Sequence, residues 1–291
     1  MGSQPKAYLD HSFLKSEEAR PIRLLAEYFE PQRRFKLQDI QDTVVFFGSA
    51  RIHSRESAQR ALDELMKTHG VSSSSEIHDI VARGRRAVEW SRYYEEARHL
   101  ARMLTEWSLG LDTTHHRFVV TSGGGPGIME AANRGATDAG GKTIGLNISL
   151  PHEQGPNPYI TDGLHFEFHY FFMRKFWFAY LAKALVVFPG GFGTLDEMFE
   201  ILTLMQTDKL AKQIQIILYG NEYWDEVLHM KPLVEWGAIA DKDVDLLTRA
   251  DTPETAFELL KEHLTTYHLT PPITQEKKAP GIAKTRSGAG A

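Results

Sequence analysis

The stretch Pro189-Gly190-Gly191-Phe192-Gly193-Thr194-Leu195-Asp196-Glu197 decides how this chain is read. It follows the apolar run Ala184-Leu185-Val186-Val187-Phe188 and opens an amphipathic stretch from Met198 to Gln206. That order is buried strand, glycine-rich turn, helix. Glycine admits backbone angles closed to other residues and lets N–H groups approach an anion. The helix N-terminus adds N–H donors and a partial positive charge. Gly190, Gly191 and Gly193 are therefore expected to hold a phosphate, with Thr194 adding a hydroxyl. Glu197 places a carboxylate about one turn into the helix, within reach of whatever carries the phosphate.

A second unit repeats the order. Phe118-Val119-Val120-Thr121 reads as a strand, Ser122-Gly123-Gly124-Gly125-Pro126-Gly127 as the turn, and Ile128 to Ala139 as a helix. Pro126 suits the first helical turn, where its missing N–H is no loss. Two such units point to a phosphate-bearing ligand at the carboxyl ends of parallel strands. Gly124 and Gly125 of the second turn are candidate contacts, as are Ser49 and Arg51, which follow the first strand at the same sheet edge. For Arg51 a surface ion pair is the alternative.

Strands are expected at 43–47, 117–121, 142–148, 184–188 and 213–219. Helices are expected at about 55–68, 84–109, 127–139, 167–182, 193–207, 222–233 and 253–266. Val/Ile/Leu strands alternating with helices mean an α/β fold, a parallel sheet covered by helices on both faces. Residues 16–30 have helical spacing, and 1–15 look poorly ordered. The Ser-rich 71–75 and the Pro/Gly-rich 152–163 read as loops. The expected organisation is an N-terminal arm and helix (1–34), one nucleotide-binding domain (35–268) and a disordered tail (269–291).

Hydrophobic residues make up 42%, enough for a sizeable core, and the net charge is −5, which argues against nonspecific nucleic-acid binding. There is no cysteine, which excludes disulfides, cysteine nucleophiles and cysteine-ligated zinc. No apolar run approaches a membrane span, and the N-terminus lacks the apolar core of a signal peptide. The chain is read as cytosolic. Gly140-Gly141-Lys142-Thr143 resembles the end of a Walker A loop, but Ala136 stands where its first glycine belongs, and the segment ends a helix instead of opening one. Neither glycine cluster spells G-x-G-x-x-G. His152-Glu153 lacks the second histidine of a zinc helix, and His115-His116 is an isolated pair. No metal and no cofactor are expected.

The helix at 167–182 is nearly all aromatic around one cationic pair, Arg174-Lys175. The aromatics suit core plus a subunit interface. A cation in such a helix needs an anionic partner, because an unpaired buried charge is costly. Arg174 can grip a phosphate or a carboxylate through two parallel hydrogen bonds. On the helix opened by Gly193, Leu195, Met198, Phe199, Leu202 and Met205 form the apolar stripe, and Glu197 and Glu200 lie on a neighbouring face. Glutamates in first turns are also favoured by the helix dipole alone, and for Glu200 both explanations stand. Glu130 either contacts a ribose hydroxyl or is such a dipole-favoured surface residue.

At Ser122 to Glu130 together with Pro189 to Glu197, the chain resembles the Lonely Guy family. These are cytokinin riboside 5′-monophosphate phosphoribohydrolases and related bacterial nucleotide 5′-monophosphate nucleosidases, long labelled lysine decarboxylases. The resemblance covers about residues 43–235 and rests on the signature P-G-G-x-G-T-x-x-E. It implies a Rossmann-like fold. It also implies a catalytic Arg on the R-K pair, here Arg174, and a catalytic Glu closing the motif, here Glu197, and Lys175 beside Arg174 is expected to contact substrate. It implies hydrolysis of the N-glycosidic bond of a nucleoside 5′-monophosphate, giving free base and ribose 5-phosphate. Its smallest working unit is a homodimer, with helix 167–182 as the expected interface here. The N-terminal extension and the segment at 70–110 depart from the short plant members and point to a longer, bacterial type. A nucleotide or molybdenum-cofactor carrier of the same fold is the alternative, and fold alone does not decide between them. The decarboxylase label would require a Schiff-base lysine for pyridoxal phosphate, and no sequence context identifies one.

Overall fold

The computed structural model describes residues 5–69, 75–149, 155–210 and 212–269. A 3-10 turn at Ala7–Leu9 leads to α1 (His11–Lys15) and α2 (Arg20–Leu37), then β1 (Thr43–Phe47). A helical pair, α3 (Arg55–His69) and α4 (Ser75–Leu109), precedes β2 (Val119–Ser122), α5 (Ile128–Asp138), β3 (Thr143–Ile148) and β4 (His165–Phe168). Then come α6 (Phe171–Leu181), β5 (Ala182–Val187), α7 (Phe192–Gln206) and β6 (Gln215–Tyr219). The short helices α8 (Asn221–Val227), α9 (Met230–Glu235) and α10 (Asp241–Val244) lead to β7 (Leu247–Ala250) and α11 (Pro253–Leu264), and a π-helical turn covers Thr265–Leu269.

The seven strands form one sheet in the order β4-β3-β2-β1-β5-β6-β7, and every pairing is parallel. Strands such as Thr43-Val44-Val45-Phe46-Phe47 are buried along their whole length because helices cover both faces. One face packs Phe35 of α2, Trp177 and Phe178 of α6, and Met198 and Ile201 of α7. The other packs Leu100 and Leu104 of α4, Ala131 and Ala132 of α5, and Leu260 of α11. The order grows from β1 toward β4, then reverses and grows from β5 toward β7. The reversal lies between β1 and β5, which opens a crevice at their carboxyl ends. The expected α/β class, a Rossmann-like parallel sheet with helices on both faces, is what the chain adopts.

Several expected elements are corrected. Residues 5–15 are not without order, since they hold the 3-10 turn and α1. The helix expected over 16–30 runs from Arg20 to Leu37, with Phe35 in the core. The aromatic helix begins at Phe171, because residues 165–168 instead form a strand, β4, with Phe166 and Phe168 buried and Glu167 exposed. β2 starts at Val119 because Phe118 has φ 52, its N–H held by the buried carboxylate of Asp42 at 2.6 Å. The polar Leu247-Thr248-Arg249-Ala250 was missed, and it is the edge strand β7. The helix expected over 222–233 breaks where Leu228 and His229 are extended. α4 starts well before Gly84, since that glycine lets two helices meet: a Cβ there would lie 3.0 Å from Leu62 Cδ1. The loop expected at 71–75 and the tail after Leu269 lie outside the described residues, apart from Ser75, which opens α4, as does the start of the 152–163 loop.

At 35 residues, α4 is about 52 Å long, against about 17 Å for a five-residue strand. Tyr93 meets Gly220 and Tyr94 meets Glu130, which sets this part of α4 level with the carboxyl ends of β6 and β2. The helix turns before Trp90 therefore extend past the sheet edge that carries the glycine turns.

Candidate functional site

Three chain segments meet at the carboxyl end of the sheet. The N–H of Ser49, after β1, donates to the Pro189 carbonyl at 2.9 Å, and the Ser49 carbonyl accepts from the N–H of Ile128 at 3.1 Å. The Arg51 N–H donates to Ser49 Oγ at 3.1 Å, and the Arg51 side chain is exposed. Ser49 thus ties both glycine turns to β1. The junction leaves no space for larger residues. A Cβ on Gly48 would lie 2.7 Å from the Ile128 side chain, and one on Gly127, at φ 72, would lie 2.3 Å from the Ser49 carbonyl.

The first glycine turn caps α7. Gly190 is buried against Thr194, whose Oγ1 would stand 2.1 Å from a Cβ at that position. Gly191 and Gly193 are exposed, with nothing within 4 Å of a Cβ built on either. Their backbone is open to a ligand at a helix N-terminus, the environment an anion favours. Phe192, between them, is 92% exposed.

Behind this turn lies a buried ion pair. Arg174 Nη2 is 2.8 Å from Glu197 Oε1, and their side chains are only 14% and 6% exposed. Phe171 and Phe178 flank the guanidinium, 5.1 and 5.7 Å from its carbon, and the Arg174 Nε has no hydrogen-bond partner among the described residues. Burial pushes the Glu197 carboxyl above the ordinary carboxylate range, and the charges of Arg174 and Lys175 pull it only part of the way back. Lys175 Nζ lies 2.8 Å from Asp196 and 2.7 Å from Glu200. Burial works against its charge, but those two bonds outweigh burial and leave its pKa raised. Lys175 clamps α6 to α7, and Glu200 is its partner. On α7 the buried stripe is Met198, Ile201 and Leu202, whereas Phe199, expected on that stripe, is 38% exposed.

α6 is itself held from α2. Glu27 accepts from the N–H groups of His169 and Tyr170 at 2.8 and 3.3 Å, and its carbonyl accepts from Trp177 Nε1 at 2.9 Å. The helix that carries Arg174 is therefore fixed at its start by the N-terminal segment.

The second glycine turn rests on buried amides. Asn157 Nδ2 donates to the carbonyls of Gly124 and Gly125 at 3.1 and 3.0 Å and to Asn133 Oδ1 at 2.9 Å. Ser122 Oγ donates to Asn133 and accepts from the Gly124 N–H at 3.0 Å. Gly124, at φ 75, would drive a Cβ to 1.9 Å from Asn147 Oδ1. The N–H of Gly124 is thus used by the turn itself. Glu130 accepts from Tyr94 Oη at 2.6 Å, and burial followed by that carboxylate raises the Tyr94 pKa.

The expected residues Ser49, Arg51, Gly124, Gly125, Glu130, Arg174, Lys175, Gly190, Gly191, Gly193, Thr194 and Glu197 all lie on elements that converge at or flank this sheet edge. Sequence reasoning missed Asn133, Asn157 and Tyr223. Tyr223 donates to the Gly190 carbonyl at 2.7 Å and left no signal, since it is one aromatic residue among many. Among the described residues no group of three or more His, Asp or Glu side chains is arranged to hold a metal ion.

The fold and site define a parallel α/β protein with paired glycine turns at the sheet reversal. Residues 129–260 match the family model described as possible lysine decarboxylase. The chain is 26% identical over 194 residues to the cytokinin riboside 5′-monophosphate phosphoribohydrolase LOG of Oryza sativa subsp. japonica, spanning 65% of this chain and 72% of the rice protein. It is 30% identical over 117 residues to the cytokinin riboside 5′-monophosphate phosphoribohydrolase of Rhodococcoides fascians, spanning 38% of this chain and 55% of that protein. Among solved structures it is similar to the molybdenum-cofactor carrier protein of Chlamydomonas reinhardtii, at 19% identity and TM-score 0.41, covering 78% of this chain and 99% of that one. The chain is thus similar to the Lonely Guy proteins, as the resemblance read from its sequence expects.

Proposed function

We propose that the protein hydrolyses the N-glycosidic bond of a nucleoside 5′-monophosphate to free base and ribose 5-phosphate. The observation that carries this is the buried Arg174–Glu197 pair, 2.8 Å apart directly behind the glycine turn. Relatives named as cytokinin riboside 5′-monophosphate phosphoribohydrolases support the general reaction. In this reading the N–H groups of Gly191 and Gly193, with the Thr194 hydroxyl, take the 5′-phosphate. The ribose then lies over the first turn of α7, where Glu197 faces the anomeric carbon. Breaking the bond to the base leaves oxocarbenium-like charge on the sugar, which a buried carboxylate stabilises far better than water does. Glu197 also accepts a proton from the attacking water. Arg174 keeps Glu197 ionised and aimed. Gly125 of the second turn and Glu130 of α5, with Arg51, line the far side of the crevice, and Lys175 holds the two catalytic helices together. The substrate is a cytokinin nucleotide, AMP, or both.

Glu197→Gln keeps the size of the side chain and removes its charge. Turnover is expected to fall by about 10²–10⁴-fold with nucleotide affinity little changed, while the melting temperature drops because the buried Arg174 loses its anionic partner. A folded Glu197→Gln protein with undiminished turnover refutes the assignment.

A further inference from the structure

Tyr223 lies on α8, outside both glycine motifs, yet it touches the backbone of the first one. Its Oη donates to the Gly190 carbonyl at 2.7 Å. A trans peptide is a rigid plane whose C=O and N–H point in opposite directions. Fixing the Gly190 carbonyl therefore fixes the Gly191 N–H, aimed away from Tyr223. Among the described residues that N–H has no backbone acceptor. Gly191 is the residue that caps α7.

The phenol is itself held on two sides. Trp90 of α4 stands edge-on to its ring at 5.7 Å with planes at 88°, and Trp224 does so at 5.0 Å and 82°. Thr194 packs against the Cα of Gly190. Burial pushes the Tyr223 phenol pKa up, so the hydroxyl remains a donor throughout the neutral range. The portion of α4 level with the sheet edge thus reaches the glycine turn through one aromatic ring.

We infer that Tyr223 is a positioning residue: it sets the Gly190–Gly191 peptide so that its N–H meets the 5′-phosphate, and Trp90 of the long α4 helix fixes it in that role. The inference rests on the phosphate reading of the turn given above. It adds a residue from outside the motif and gives α4 a part in binding.

The test is Tyr223→Phe, which keeps the ring and its packing on Trp90 and removes only the hydroxyl. Binding of ribose 5-phosphate and of AMP to the full-length protein is measured by calorimetry, alongside thermal melting. Both dissociation constants are expected to rise about tenfold, the size of one well-made hydrogen bond, while adenosine, which lacks the phosphate, binds as it does to the unaltered protein. A purely structural tyrosine would lower the melting temperature and leave the affinity ratio between AMP and adenosine unchanged. Equal ribose 5-phosphate affinity in the two folded proteins overturns this inference alone. Failure of the unaltered protein to bind ribose 5-phosphate overturns the phosphate reading and this inference with it.

Discussion

At the residue scale, Glu197 holds a negative charge where burial opposes one. Desolvation lifts its pKa above the ordinary 4.5, with Arg174 and then Lys175 opposing the lift. The ionised form is the one that stabilises positive charge on the sugar, and it is present above that raised pKa. kcat/KM is therefore expected to fall as pH drops, with the midpoint of the acid limb above 4.5. Arg174→Gln removes the larger of the two opposing charges, so its limb moves to higher pH. A limb at or below 4.5, or one that Arg174→Gln leaves in place, contradicts the role given to Glu197. The same shift bears on folding. Between pH 4.5 and the raised value the folded chain binds more protons at this group than the unfolded one, so its contribution to stability falls as pH rises across that window. Catalytic charge at Glu197 is maintained against the preference of the fold.

At the element scale, what the sequence reveals follows what local chemistry decides. The glycine turns were legible because strand, glycine run and helix follow one another without interruption at 118–139 and 184–206. The pairing of Arg174 with Glu197 was legible in kind, since a cation among aromatics demands an anion, but the specific partner depends on how α6 and α7 pack. β4 was not legible: four residues of alternation run into an aromatic helix with only His169 and Tyr170 between them. β7 was hidden by its polarity, which an edge strand tolerates. α4 begins before Gly84 although glycine reads as a breaker, because the helix packs closely on Leu62 of α3 there. Tyr223 and Asn157 act through contacts 33 residues away, with Gly190 and Gly124, and Asn133 through Ser122 11 residues away, which no local pattern encodes.

At the scale of the whole molecule, the reversal of strand order between β1 and β5 places the site, and the surface beside it is unusually apolar. α6 exposes Phe171, Phe172 and Tyr180 at 46%, 51% and 49%, and α2 exposes Leu25 and Phe29, both at 56%. Clustered large apolar side chains at a surface mark an association face. We propose that residues 35–268 form one nucleotide-binding unit, that residues 1–34 brace α6 through Glu27, and that α6 joins two copies. Light scattering is expected to show a dimer or larger assembly that Phe172→Glu splits toward monomer; a monomeric unaltered protein contradicts this. No described helix is long and apolar enough to cross a membrane. The measurement that tests the central claim most directly is chromatographic detection of free base after incubation with AMP, other common 5′-monophosphates and isopentenyladenosine monophosphate. The account predicts free base and ribose 5-phosphate in equal amounts from at least one of them. Nucleotide bound tightly, with no base released from any, would contradict it and make the protein a carrier.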